Sequence, residues 1–359
     1  MSALLEKLRK NSTIKESDIL SHSKFFNKKD MIQMSIPIMN VALSGELGGG
    51  FVPGLTMWAG PSKHFKTLFS LSMAKAYMDR YPEAVLLFYD SEFGTPKSYF
   101  TSIGIDMARV LHAPLTNIEQ LKFDIMTQFE GVARGDRLMV VIDSIGNLAS
   151  KKEVDDALDG KSVADMTRAK QLKSLFRMVT PHLNLKDIPM VVVNHTYKEI
   201  GLYPKDIVGG GTGSYYGSDN IFIIGRQQEK DGTELTGYNF IINVEKSRYV
   251  KEKSKIPITV SFDGGVSKWS GLFDLAIESG HMIKPKNGWY QRVNKETGEI
   301  EAKNWREKDT DSADFWMPIL KDKMFRDFVK DKYQLASSSV MSDEAMDDSI
   351  NAMIGDQDE

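Results

Sequence analysis

Three runs of apolar residues, each closing on a polar group, restrict this chain more than any other feature. Val85–Asp90 reads Val-Leu-Leu-Phe-Tyr-Asp, Leu138–Asp143 reads Leu-Met-Val-Val-Ile-Asp, and residues 190–194 read Met-Val-Val-Val-Asn. None alternates with polar residues, so each predicts a strand buried on both faces. Helical spacing fills the intervals, over residues 118–132 and, with an amphipathic pattern, over 166–183. A chain that alternates such strands with helices folds as an α/β protein around a mostly parallel, wound sheet. Ligands bind these sheets at the carboxyl ends of the strands. Asp90, Glu92, Asp143, Ser144, Asn194 and His195 all stand at or just past such ends.

A further short apolar run, residues 54–59, leads into Gly60-Pro61-Ser62-Lys63-His64-Phe65-Lys66-Thr67. Residues 68–78 then have helical spacing with no Gly or Pro. Strand, loop and helix follow in the order of the phosphate-cradling motif G-x-x-x-x-G-K-[ST]. In such a loop successive backbone N–H groups face a concavity, and the helix adds its positive end. Lys66 is expected on the β- and γ-phosphates, and the Thr67 hydroxyl on Mg²⁺. Phe65 stands where the second Gly is expected, and a Phe is not expected to take a left-handed backbone angle. The plainer alternative is a Gly-Pro turn with a Lys near a helix start.

Composition narrows the class. The chain has 359 residues, 41% hydrophobic and 26% charged, enough for one large domain with small appendages. It has no cysteine, which removes disulfides and thiolate chemistry and fits a reducing cytoplasm. A net charge of −3 confines any nucleic-acid contact to a local groove or loop. Neither a signal peptide nor a membrane-spanning run is expected.

Four units are expected: an N-terminal helix and linker (1–30), the wound core (31–270), a small subdomain bearing Trp289, Trp305 and Trp316 (271–335), and a tail (336–359). Residues 3–10 form an amphipathic helix too short to stand alone, so it needs a partner surface. Residues 220–225, 239–245 and 256–262 read as strands that extend the sheet in antiparallel fashion. The tail has seven acids and no Lys or Arg. It is either a solvated disordered arm or an acidic arm that competes with DNA for basic loops.

Asp143 ends a strand where an acid holds the Mg²⁺ shell in phosphate-loop enzymes, with Ser144 beside it in a supporting place. Glu92 is placed to orient an attacking water as general base. The alternative for each is a turn or capping acid. His195 is either structural or a donor to the γ-phosphate. Residues 197–218 contain Gly209-Gly210-Gly211-Thr212-Gly213-Ser214-Tyr215-Tyr216-Gly217, and read as a long, structureless, functional loop suited to phosphates and bases. Residues 155–162 read as a second mobile stretch. It leads to a helix with Lys161, Arg168, Lys170 and Lys173, which is a phosphate site or a solvated charged face.

The order of these motifs resembles the RecA family of recombinases, most closely the UvsX-type members of T4-like phages. The residues that carry it are 60–67, Tyr89-Asp90-Ser91-Glu92-Phe93-Gly94, Val141-Ile142-Asp143-Ser144, Val193-Asn194-His195-Thr196-Tyr197, Val244-Glu245-Lys246-Ser247-Arg248, and the stretches 147–153 and 165–170. The resemblance covers about residues 36–335. At Phe65 the UvsX-type members are similar, whereas His195 stands where bacterial members carry a Gln. It implies a RecA-like ATPase core with a short N-terminal helix and a small C-terminal subdomain. It implies a DNA-dependent ATPase that forms helical filaments on single-stranded DNA and exchanges strands with a homologous duplex.

Position by position, the resemblance implies that Gly60, Pro61, Ser62, Lys63, His64, Phe65, Lys66 and Thr67 hold ATP and Mg²⁺, with Asp143 and Ser144 behind the metal. Glu92 would activate water, Tyr99 would stack on adenine, and Pro96 would line its edge. Lys246 and Arg248 would enter the ATP site of the adjoining protomer. Residues 155–162 and 197–218 would be the DNA loops, with Lys161, Arg168, Lys198, Gly210, Gly211 and Thr212 at the DNA. A phage single-strand-binding protein and a recombination mediator are expected partners, in the host cytoplasm and with no membrane. A RecA-fold helicase or motor, and an ATP-binding scaffold that does not hydrolyse, are the alternatives.

Overall fold

The computed structural model describes residues 2–23, 29–161, 167–199, 201, 204–231, 233–262 and 265–335. The acidic stretch 336–359 lies outside the described residues, as does Ser162 of the expected mobile stretch. Helix α1 (Ala3–Asn11) forms as the pattern predicts, with none of its residues buried, and leaves Leu4 and Leu8 about 60% exposed. Helix α2 (Pro37–Ser44) opens on Pro37, whose fixed φ suits a first helical turn, and stops at left-handed Gly45.

The expected parallel strands appear as β1 (Gly54–Ala59), β2 (Val85–Asp90), β4 (Leu138–Asp143) and β5 (Pro189–Asn194), and an unexpected edge strand, β3 (Val110–Pro114), pairs with β2. Crossing helices are α3 (Lys66–Arg80), α4 (Lys97–Ile103), α5 (Ile118–Gly131), α6 (Lys151–Leu158) and α7 (Thr167–Lys186). Two short strands, β6 (Thr196–Lys198) and β7 (Asp206–Val208), precede α8 (Thr212–Gly217). Three longer strands then follow, β8 (Asn220–Asp231), β9 (Glu234–Lys246) and β10 (Lys255–Ser261), with a two-residue β11 (Gly265–Val266).

Among the described residues the main sheet has nine strands, in the order β11-β10-β9-β8-β1-β5-β4-β2-β3. β1 lies parallel between β5 and β8. β9, β10 and β11 extend the sheet in antiparallel fashion, as expected, but β8 itself is parallel to β1 and turns back into β9. In register, Asp90 pairs with Asp143, and Ala59 with Asn194, so four parallel strands end on one rim.

Each face of the sheet carries its own core. One joins Trp58, Phe69, Phe88 and Phe222 to the C-terminal segment; the other joins Tyr89, Ile142 and Val192 to α5 and α7 through Ile125, Phe129 and Phe176. Burying such side chains contributes about 1.5–3 kcal/mol each. Trp58 is fully buried, stacks on Phe222 at 4.5 Å and packs on Phe69 at 5.3 Å, which ties β1 to β8 and to α3. The last segment comprises α9 (Leu272–Glu278), β12 (Met282–Lys286), β13 (Trp289–Arg292), α10 (Ala313–Lys321) and α11 (Lys323–Tyr333). It packs into the first core through Phe315, Trp316 and Phe325. Among the described residues no helix is long and apolar enough to cross a membrane.

Two expectations are corrected. The Gly-rich stretch 197–218 is not structureless: β6 and β7 pair as a hairpin, and α8 follows. Its glycines serve close packing as well as freedom. A β-carbon on Gly213 would stand 2.5 Å from Lys173 Cα, and one on Gly217 3.0 Å from Phe176 Cβ, so small residues let α8 lie against α7. The first half of 155–162 is likewise helical. Ser150 caps α6, its hydroxyl accepting from Glu153 N at 3.0 Å.

Candidate functional site

The loop between β1 and α3 forms one wall of a cavity of about 400 Å³. Gly60 keeps the loop close to β8; a β-carbon there would meet Ile224 O at 3.0 Å. Phe65 departs from its expectation, because its backbone does sit in the left-handed region at φ 57°, ψ 19°. The half-buried ring packs 4.7 Å from Phe240 on β9, a contact that holds a conformation Phe alone would avoid. Lys63 is left-handed as well, at φ 61°. The loop therefore reaches the shape expected of glycine with a side chain anchored behind it.

Lys66 is buried and donates from Nζ to Pro61 O at 2.7 Å. Burial lowers its ammonium pKa, against the pull of Glu92 and Asp143. His64 Nδ1 faces Ser62 O at 2.8 Å, and burial lowers the imidazole pKa. Pro96 caps α4, and Tyr99 on that helix lines the same cavity as Lys63 and His64.

On the floor, Thr67 Oγ1 donates to Asp143 Oδ2 at 2.7 Å. Asp143 Oδ1 is buried and has no hydrogen-bond partner among the described residues. Burial, opposed by the Thr67 bond, pushes this carboxyl up to about 6. A buried carboxylate oxygen without a partner, beside a hydroxyl, fits a hard divalent cation whose remaining oxygens come from phosphate and water.

Glu92 stands just past β2. Asp90 Oδ1 accepts from the N–H groups of Glu92 and Phe93 at 3.0 and 2.8 Å, which sets the backbone of the turn. Glu92 Oε1 accepts from Ser144 Oγ at 2.6 Å, His195 Nε2 at 2.8 Å and Asn147 Nδ2 at 3.1 Å. The His195 bond, then the Ser144 bond, lowers its carboxyl pKa despite partial burial. Ser144 thus joins Glu92 to the Asp143 strand. Asn147 was missed in the sequence; its place three residues past Ser144, on the same rim, was the available signal.

The remaining expected residues lie outside the cavity. Asn194 Nδ2 donates to Gly209 O at 2.8 Å and Gly209 N to His195 O at 3.0 Å, so the Gly-rich stretch is tied to the end of β5. Gly210 and Gly211 have φ of 91° and 72°, and Thr212 opens α8. Lys198 pairs with Asp206 at 2.9 Å across the hairpin, and Lys161 with Asp159 at 2.8 Å; both lysines are exposed. Arg168, expected at the DNA, binds backbone carbonyls in this structure. Its guanidinium donates to the carbonyls of Ile145, Gly146 and Leu148 at 2.9, 2.8 and 2.8 Å, bracing the turn after β4. Lys246 donates to Tyr215 O and Ser218 O at 2.8 and 2.7 Å. Arg248 pairs with Asp219 at 2.5 Å, its side chain 66% exposed.

Comparison with known proteins matches residues 18–267 to the RecA N-terminal domain, and residues 269–329 to the C-terminal domain of the bacteriophage T4 recombination and repair protein. The chain is 51% identical to the recombination and repair protein of Enterobacteria phage T4, across 99% of this chain and 92% of that protein. It is 27% identical to the RecA protein of Clavibacter michiganensis over 71% of this chain and 70% of that one. It is 25% identical to the RecA protein of a Nocardioides species over 71% and 72%.

Proposed function

The chain belongs to the RecA family of recombination proteins, and from that premise we propose how its residues divide the work. It is a DNA-dependent ATPase and strand-exchange recombinase that binds nucleotide, acts on DNA and assembles with itself into filaments. The nucleotide is ATP with Mg²⁺, held by residues 60–67. The observation that carries this reading is the Thr67–Asp143 bond, with Asp143 Oδ1 left unpartnered beside it. Mg²⁺ held by Thr67 and Asp143 would supply neutralisation of phosphate charge.

Lys66 leaves Pro61 O for the phosphates and keeps its charge through the acids around it. Tyr99 stacks on the base, with Pro96 at its edge. Glu92 is the general base: its depressed pKa keeps it ionised, and its position past β2 faces the loop. His195 leaves Glu92 Oε1 to meet the terminal phosphate and carries that movement through Gly209 into the Gly-rich stretch. Gly210, Gly211, Thr212, Lys198 and Lys161 then meet single-stranded DNA by its backbone, leaving bases free for a homologous duplex. Arg248, exposed beside Asp219, enters the site of the next protomer with Lys246, so hydrolysis depends on assembly. The exposed Leu face of α1 docks on a neighbour in contacts that do not close into a ring. A phage single-strand-binding protein and a mediator act with it in the host cytoplasm.

Two variants test the site. Lys66→Ala is expected to abolish ATP hydrolysis and strand exchange, and retention of both refutes the loop assignment. Glu92→Gln is expected to slow turnover by about 10²–10⁴-fold with ATP and DNA binding retained. Loss of ATP binding in that variant refutes its role as base.

A further inference from the structure

Three donors meet one oxygen of Glu92, and they come from two different loops. Ser144 and Asn147 belong to the turn after β4, and His195 to the turn after β5. A carboxylate oxygen has two lone pairs, so three bonds to Oε1 compete for them. Asn147 makes the longest of the three, and it is exposed, so packing does not require its amide.

The turn that carries Asn147 is braced on both flanks. Arg168, from α7, holds the carbonyls of Ile145, Gly146 and Leu148. Gly146 lies under the His195 ring, where a β-carbon would stand 2.3 Å from Cδ2. Beyond Asn147 the chain enters α6 through the Ser150 cap, and Lys151 N donates to Glu119 Oε2 at 2.8 Å. Asn147 is therefore held in a fixed frame and aimed at Glu92. That frame shifts if α6 and α7 shift.

We propose that Asn147 is a positioning residue that parks Glu92 in the DNA-free protein. The inference rests on the reading of Glu92 as general base. Asn147 and His195 are two independent latches on the same oxygen. His195 leads through β6 and β7 to the Gly-rich stretch, and Asn147 leads through α6 to α7. Each latch adds to the free energy that holds Glu92, so loosening either turn raises the share of Glu92 free to orient water, and displacing both raises it further. The coupling is a bistable side chain biased from two sides.

The test is steady-state ATP hydrolysis by the full chain, with and without single-stranded DNA. Asn147→Ala is expected to raise DNA-free kcat by about threefold to tenfold, the size of one ordinary hydrogen bond, because this one is exposed and shares its acceptor with two others. DNA-stimulated kcat and the KM for ATP should stay within about twofold, so the stimulation factor falls. Asn147→Asp, which sets a repelling carboxylate beside Oε1, should raise DNA-free kcat at least as much. A residue that merely supports the fold would lower both rates. An unchanged DNA-free rate in both variants, or a fall in both rates, overturns the proposal. Adding Glu92→Gln to Asn147→Ala should abolish the gained turnover. If Glu92→Gln alone keeps full DNA-stimulated turnover, the reading of Glu92 as base has failed, which is distinct from failure of the latch.

Discussion

Phe65 permits a substitution whose sign runs against habit. Alanine ordinarily stabilises a helix start or interior relative to glycine, by about 0.5–1 kcal/mol. At φ 57°, ψ 19° a β-carbon costs about 1–2 kcal/mol, and the Phe ring offsets this by packing on Phe240. Phe65→Ala removes the ring and keeps the strained backbone. Phe65→Gly removes the ring and relaxes the backbone, while giving the unfolded chain more freedom to lose. The half-buried ring contributes roughly 1–2 kcal/mol, so both variants should be less stable than the parent. The strain exceeds the entropy term by roughly 0.5–1 kcal/mol, so glycine should be the more stable variant by that amount. In a chain of this size that is about 1 °C in melting temperature, best resolved as a higher urea midpoint. If alanine equals or exceeds glycine in replicate urea titrations, the left-handed conformation at Phe65 is not the strained one argued for.

Three further predictions rest on the same geometry. The Asp143 carboxyl is held at about 6 in the fold against an ordinary 3.8, so the folded state keeps its proton more tightly than the unfolded chain. Stability is full below the unfolded value and falls as pH rises through about 4 to 6. Asp143→Asn should therefore melt higher than the parent at about pH 8, by up to roughly 3 kcal/mol, with the gain shrinking at about pH 4; thermal melts showing the opposite trend sink the argument. Arg168→Ala should lose about 2–3 kcal/mol of stability as three carbonyls lose a charged donor, and Lys should not restore it. Weakened DNA binding with unchanged urea stability would instead make Arg168 a phosphate contact. Arg248→Ala should change stability by about 1 kcal/mol, because Arg248 is exposed and the buried Asp219 keeps its bond from Leu55 N, yet lower DNA-stimulated turnover by about 10³-fold. Turnover within twofold of the parent's in a phosphate-release assay would remove Arg248 from the chemistry.

The parallel strands were legible because burial on both faces demands unbroken apolar runs, and Asp90 and Asp143 mark where those runs surface. The strand, loop and helix around residues 60–67 were legible in their local order. What escaped reading depends on residues far apart in the chain. Phe65 takes its backbone from a ring at position 240, and β8 chooses its direction from β1, more than 160 residues earlier. Arg168 looked like any basic residue on a charged helix, because a guanidinium that binds carbonyls has the same sequence signature as one that binds phosphate. The glycines of the 197–218 stretch signalled freedom, and only the approach of α8 to α7 shows that two of them answer to space.

Gathering Ala59, Asp90, Asp143 and Asn194 on one rim leaves the other margin of the sheet chemically idle. There the chain turns between α5 and β4, and again between α7 and β5, where Arg134 pairs with Asp187 at 2.8 Å and Arg137 lies 4.1 Å from the Tyr81 ring centroid. These joints are held by an ion pair and a guanidinium stacked on a ring. Lengthened turns or an inserted reporter around residues 133–136 would thus be read by the molecule as cargo, carried on the back of the sheet while the front continues to turn over nucleotide.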